Sequence, residues 1–191
     1  MLHHVTVTSA PRDRLLQTAA ALFYREGING VGVDRVLSEA GVTRATMYRH
    51  FPGKEALVVA YLEQEDAHLR DLFAAAAQAA PDAGPRDLLA LVIDGVADDA
   101  TRHHTRGCPF INASAEFPDA RGEVRAVVRR HRDWFRSTLA ALAEAAGVED
   151  PQATAAALVL LRDAMLVGAY LDGAEVAADF RRTARAAVGL D

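Results

Sequence analysis

The stretch Gly41 to Leu57, GVTRATMYRHFPGKEAL, sets hydroxyl, basic and aromatic-polar side chains around very few apolar ones, breaks at Pro52-Gly53 and restarts at Lys54. A buried core has no use for such a run. At about 100° per residue, a helix over this stretch puts Phe51 within roughly 40° of Met47, while Ala45 and Arg49 project from the far side with Thr46 and Tyr48 beside them. Met47 and Phe51 are therefore the anchors, and the remainder is an outer face. Thr43 supplies a hydroxyl N-cap and Pro52-Gly53 a stop. A face that is small at Ala45 admits close approach, and Arg44 or Arg49 carries the planar fork that pairs with a guanine edge in the major groove. Thr43, Thr46, Tyr48 and His50 suit phosphate oxygens. Lys54, at the free amides of the helix that starts there, makes a further anion site. Singly, Tyr48 and His50 read better as the edge of a small core; seen together, with the immediate helix restart, these residues point to contact with DNA.

Upstream, Ser9-Ala10-Pro11 opens a helix that buries Leu15, Leu16, Ala19, Leu22 and Phe23 at helical spacing until Gly27 ends it. A second helix runs from about Val33 to Ala40, with Val36, Leu37 and Ala40 inward and Gly41 as its stop. Helix, glycine-bearing turn, helix is the helix-turn-helix grammar. At this point the stretch LFYREGINGVGVDRVLSEAGVTRATMYRHFPGKEAL, Leu22 to Leu57, resembles the TetR family of bacterial transcriptional regulators. The likeness rests on its Phe-x-x-x-Gly, Ala-Gly-Val-Thr, Thr-Met-Tyr-Arg-His-Phe and Lys-Glu-Ala-Leu segments, and it extends over about Leu15 to Leu57. It implies an all-α fold: a three-helix DNA-binding domain over 1–53, then a C-terminal domain over 54–191 holding a small-molecule pocket and closing a homodimer through its last two helices. By resemblance, Arg44, Ala45, Thr46, Tyr48 and Arg49 take base- or groove-facing positions, and Thr43, His50 and Lys54 phosphate-side positions. Gly32 stands where Thr or Ser commonly caps the second helix, and Met47 replaces the usual Leu; both are tolerable exchanges.

With 51% hydrophobic residues in 191, the chain can bury a substantial core in one or two compact domains, which argues against disorder. Its net formal charge of −5 is uneven. Residues 1–54 hold seven Lys and Arg against four Asp and Glu, a net +3 that leaves −8 for the rest. A basic end on an acidic body fits a polyanion partner there, although a solvated surface looks the same. The single cysteine, Cys108, excludes an internal disulfide, and the start of the chain has no apolar signal segment, so a reducing cytoplasm is expected. The apolar run Ala153 to Leu171 carries Arg162 and Asp163 in its middle, which argues for a buried helix over a membrane span.

Beyond Lys54 one long helix is expected to about Ala80, ended by the loop PDAGPR, with further helices over about 85–101, 122–146, 151–171 and 174–188. Between them RGCPFINASAEFPD lacks periodicity and marks a special element, irregular or helical. Phe73, Phe110, Asn112, Phe117, Trp134, Phe135 and Met165 are the candidates to line a ligand pocket, which wants aromatic walls and a few polar handles. Each is also what ordinary core looks like, and Asn112 serves equally as a helix cap. In the 151–171 helix, small residues such as Ala156, Ala164 and Gly168 permit close packing, one side for the protomer and one for a partner.

Catalysis finds little support: Cys108 lies near His103, His104 and Asn112 only in sequence, and a nucleophile needs its imidazole within reach in space. The adjacent pairs His3-His4 and His103-His104 point about 100° apart on a helix, so neither suits one metal ion. No phosphate-cradling glycine loop is present, so neither cofactor nor metal is expected. The reading is a non-enzymatic, ligand-responsive regulator, a repressor on palindromic operator DNA released by an apolar or amphipathic effector. The alternative is a dimeric helical small-molecule carrier that does not bind DNA.

Overall fold

The computed structural model describes residues 10–190; His3, His4 and Ser9 lie outside them. Among the described residues every regular element is a helix: α1 (Pro11–Glu26), α2 (Val33–Ala40), α3 (Arg44–His50), α4 (Lys54–Ala79), α5 (Pro85–Arg102), α6 (Pro109–Glu116), α7 (Glu123–Ala145), α8 (Pro151–Asp172) and α9 (Val176–Ala187). The protein is all-α. It divides into two compact units with the boundary between Gln64 and Glu65, inside α4.

In the first unit α1, α2 and α3 pack pairwise around Leu15, Leu22, Val36, Met47 and Phe51, all nearly inaccessible. The start of α4 adds Leu57, Val58, Tyr61 and Leu62, and the Tyr61 ring meets Phe23 edge-on at 6.2 Å. Local chemistry sets the α2–α3 turn. Gly41 takes the left-handed conformation (φ 61°), which closes α2 with amide bonds to its last carbonyls, and the Val42 N–H donates to the Leu37 carbonyl at 3.1 Å. Thr43 then accepts the Thr46 N–H at 3.2 Å and caps α3. Gly32 caps α2 in extended conformation without a side-chain bond. On the surface Arg35 bridges Glu26 of α1 and Glu39 of its own helix, the latter at 2.9 Å.

The second unit is built on α5, α7, α8 and α9, with α6 laid on α7 and the later part of α4 joined through aromatic contacts. Ion pairs stitch α9 to α5: Arg185 to Asp94 at 2.6 Å, and Arg181 to Asp94 and Asp98. RGCPFINASAEFPD contains a regular helix after all, α6, because Pro109 at its first position needs no amide partner and the sequence gives it only eight residues, too few for a period to show. Helix α8 carries its two central charges inside the unit. Arg162, 8% exposed, contacts Asp163 at 3.1 Å, and Asp163 also holds Arg132 of α7 at 2.7 Å. Gly168 lets the start of α9 approach, since a Cβ there would lie 3.1 Å from Val176 Cγ1. Ala156 and Ala164 face outward, on the same stripe as Leu160, Val167 and Leu171, which are 69%, 43% and 70% exposed.

Candidate nucleic-acid interface and effector groove

Helix α3 presents the face its sequence predicts. Met47 and Phe51 are 0% and 3% exposed, whereas Thr43, Arg44, Ala45, Tyr48, Arg49 and His50 lie open and Thr46 is half-buried. Two short polar chains cross that face. In one, the Thr43 and Thr46 hydroxyls lie 2.9 Å apart and Arg49 Nη2 reaches Thr46 Oγ1 at 3.5 Å. In the other, Arg44 is paired with Asp34 of α2. A hydrogen bond with Tyr48 and the Asp34 charge raise the Arg44 pKa above its ordinary value, so the guanidinium is firmly cationic. Lys54 opens α4 with its ammonium 5.9 Å from the centre of the Phe23 ring. All eight proposed contact residues thus fall within one short segment of the first unit.

In the second unit an apolar groove of about 360 Å³ runs between α4, α5 and α7. Ala74, Ala77, Leu88 and Leu91 wall it, Phe73 and Trp134 close it, and Arg70 is its one charged lining group. Phe73 meets Trp134 edge-on at 5.4 Å, and the Arg70 guanidinium stacks over Trp134 at 4.2 Å. A second space of about 220 Å³ continues along α4 and α5 past Gly95 to Asp99, sharing Phe73, Ala76, Leu91 and Val92 with the first.

The seven candidate pocket residues scatter. Phe73 and Trp134 line the groove, and Phe135 touches Phe73 at 6.0 Å but is buried in the core behind it. Phe110 lies on α6, stacked face to face with His131 at 3.7 Å. Phe117 ends α6, and the Asn112 amide donates to the Arg106 carbonyl at 3.1 Å, fastening the turn that leads into α6. Met165 is 2% exposed within α8. Cys108 is 1% exposed at the N-cap of α6, and the His104 ring is engaged by Asp99 at 2.6 Å instead. Among the described residues no group of three His, Cys, Asp or Glu is disposed to hold a metal ion.

Residues 15–61 match the family model for bacterial regulatory proteins of the tetR family, and 84–187 that for the Tetracyclin repressor-like C-terminal domain. The chain belongs to the TetR family. A TetR-family transcriptional regulator from Streptomyces coelicolor is 39% identical, superposes with a TM-score of 0.88, and the match covers 94% of each chain. The HTH-type transcriptional repressor NemR of Escherichia coli is 28% identical over 118 residues, 61% of this chain and 59% of its own. The crystal structure of reduced NemR superposes with a TM-score of 0.81 at 22% identity, covering 92% of this chain and 95% of that one, a likeness of fold. With an uncharacterized HTH-type transcriptional regulator of Mycobacterium tuberculosis the identity is 37% over 62 residues, 32% of this chain and 31% of that relative's length. This chain is thus a TetR-family transcriptional regulator with a DNA-binding helix-turn-helix.

Several groups of this TetR-family chain escaped sequence reasoning. Asp34 sits ten residues before Arg44 and reaches it only because α2 and α3 pack across the Gly41 turn. The alanine wall of the groove has no chemical signature at all. Two histidines of the second unit, His131 buried and His104 partly buried, differ in charge. Burial is the largest influence on His131 and lowers it to about 4, against the pull of its Nδ1 contact with Asp66 at 2.8 Å, so the ring is neutral. Burial also depresses His104, but Asp99 and Glu65 more than reverse it and raise the pKa to about 9. The one available signal was an i,i+5 pairing of Asp99 and His104, which no helical rule flags.

Proposed function

We propose that two copies of this TetR-family regulator, joined through α8 and α9, repress transcription by reading a palindromic operator with α3, and that a small apolar or amphipathic molecule in the α4–α5–α7 groove releases them. The observation that carries this is the outer face of α3, a polar, basic surface held out by Met47 and Phe51. Arg49 and Arg44 read base edges, and Ala45, Thr46 and Tyr48 line the approach. Thr43, His50 and Lys54 hold phosphates, Lys54 with help from the α4 N-terminus. On this reading residues 1–53 address DNA and 54–191 sense the effector and dimerise, in the cytoplasm and without catalysis. One short recognition helix reads too few base pairs for an address, and a twofold pair reads enough. The exposed stripe of Leu160, Val167 and Leu171 supports α8 as the seam of that pair. Helix α4 supports the linkage: its 26 residues, about 39 Å at 1.5 Å per residue, begin at Lys54 and carry Phe73 into the groove.

Selection from a random DNA pool tests the first half: an inverted repeat with half-sites about one helical turn apart is expected. An asymmetric or absent site refutes it and leaves a carrier. For the second half, effector affinity measured by calorimetry is expected to fall when operator is saturating, by a coupling of about 1–3 kcal/mol. Equal affinity with and without operator rules the mechanism out.

A further inference from the structure

A second cleft, of about 380 Å³, opens between α6 and α7, where Phe110, Ile111 and Ser114 face Arg125, Arg129 and Arg132. Spacings of four and three bring the arginines to one side of α7. No Asp or Glu lines the cleft. Arg132 is neutralised by Asp163 at 2.7 Å. The other two are not: Arg125 Nη1 donates to the Phe117 carbonyl at 3.4 Å and Arg129 Nη1 to that of Ala120, and neither has a carboxylate partner among the described residues. Asp119, in the loop before α7, accepts the Arg121 N–H of its own turn at 2.9 Å. The Arg125 Nε is shut off from solvent with no hydrogen-bond partner, a condition that folded chains seldom leave uncompensated. Two adjacent uncompensated forks beside the apolar wall of Phe110, Ile111 and Val128 make a receptor of defined chemistry. The forks match the two oxygens of a carboxylate, and the wall matches an apolar body.

We infer that the α6–α7 cleft is a binding site, separate from the α4–α5–α7 groove, for a small organic carboxylate with an aromatic or short aliphatic body. The wall ring of this site is also a relay. Phe110 stacks on His131 at 3.7 Å, and His131 holds Asp66 of α4 at 2.8 Å, so a ligand that shifts Phe110 is two contacts from the helix that begins at Lys54. Only this relay rests on the operator reading above.

Isothermal titration of the full chain without DNA, using benzoate, hexanoate and the neutral isostere benzyl alcohol, tests the site. At least one carboxylate is expected to bind, with benzyl alcohol weaker by about tenfold or more. Arg125→Gln and Arg129→Gln are each expected to weaken the carboxylate by a similar factor, and Arg136→Gln, on α7 but outside the cleft, to leave it unchanged. Ile111→Trp, which fills the cleft without touching a charge, is expected to abolish binding while circular dichroism stays native. Failure of both carboxylates to bind the native chain at millimolar concentration overturns the site. So does equal binding of benzyl alcohol, equal loss in Arg136→Gln, or retained binding in Ile111→Trp. In a separate arm the bound carboxylate is expected to change operator affinity; unchanged operator affinity with binding intact refutes the relay.

Discussion

Raising the pH through the alkaline range is expected to weaken the C-terminal unit through one side chain, His104. Burial is the largest influence on this ring and pulls its pKa down, but Asp99 at 2.6 Å and Glu65 at 3.7 Å more than offset it and lift the value from 6.5 to about 9. The folded chain therefore keeps a proton that the unfolded chain releases. Its contribution to stability is complete below pH 6.5 and drains away as the pH rises through about 9. At 1.36 kcal/mol per pH unit the gap is worth about 3 kcal/mol. His131 is the mirror image, since burial, opposed by Asp66 and reinforced by Arg162, lowers it to about 4. There the unfolded chain takes up a proton that the folded one refuses, so stability is complete above pH 6.5 and is lost as the pH falls toward 4. Stability should thus peak near pH 6.5, with a loss of about 3 kcal/mol on either side. Urea unfolding followed by the emission of Trp134, the single tryptophan, measures this at one fixed protein concentration, because the stability of the proposed dimer would shift with concentration. His104→Gln should flatten the alkaline limb and leave the acid limb in place. An alkaline loss that persists undiminished in His104→Gln, or a native chain equally stable at pH 6.5 and 9, refutes the assignment of the buried charge.

Arg49→Ala is expected to cost about 1–3 kcal/mol at one symmetric operator position and to relax the preference there, read by repeating the pool selection; an unchanged selected sequence refutes base reading by Arg49. Asp34→Ala, which frees Arg44 from its pair, should alter preference at a different position while raising affinity for unrelated DNA and steepening its salt dependence. Leu160→Glu with Leu171→Glu should give a monomer in sedimentation equilibrium with native helicity, and a persisting dimer removes α8 from the seam. Met47→Ala empties a fully buried site and should cost about 2–5 kcal/mol in thermal unfolding of the N-terminal unit.

The sequence by itself determined the local features of the helix-turn-helix. Gly41 permits the left-handed turn, Thr43 caps α3, Pro52-Gly53 stops it, and the four-residue spacing of Met47 and Phe51 decides which side faces out. Each of these effects acts within one or two helical turns, so neighbours in sequence suffice to read it. Tertiary structure alone decided the partners of those side chains. Arg44 answers to Asp34, and His131 meets Asp66 sixty-five residues away. Phe73 and Trp134 share a groove while Phe110 serves a different cleft, although all three read alike as aromatics at helical spacing. Periodicity says that a residue is inward but not which neighbour it meets, because that depends on how the helices cross. The charge of a histidine follows the same rule: His104 is protonated because packing delivers two carboxylates to it, and His131 is neutral because burial among the Phe110, Trp134 and Phe135 rings outweighs its one carboxylate.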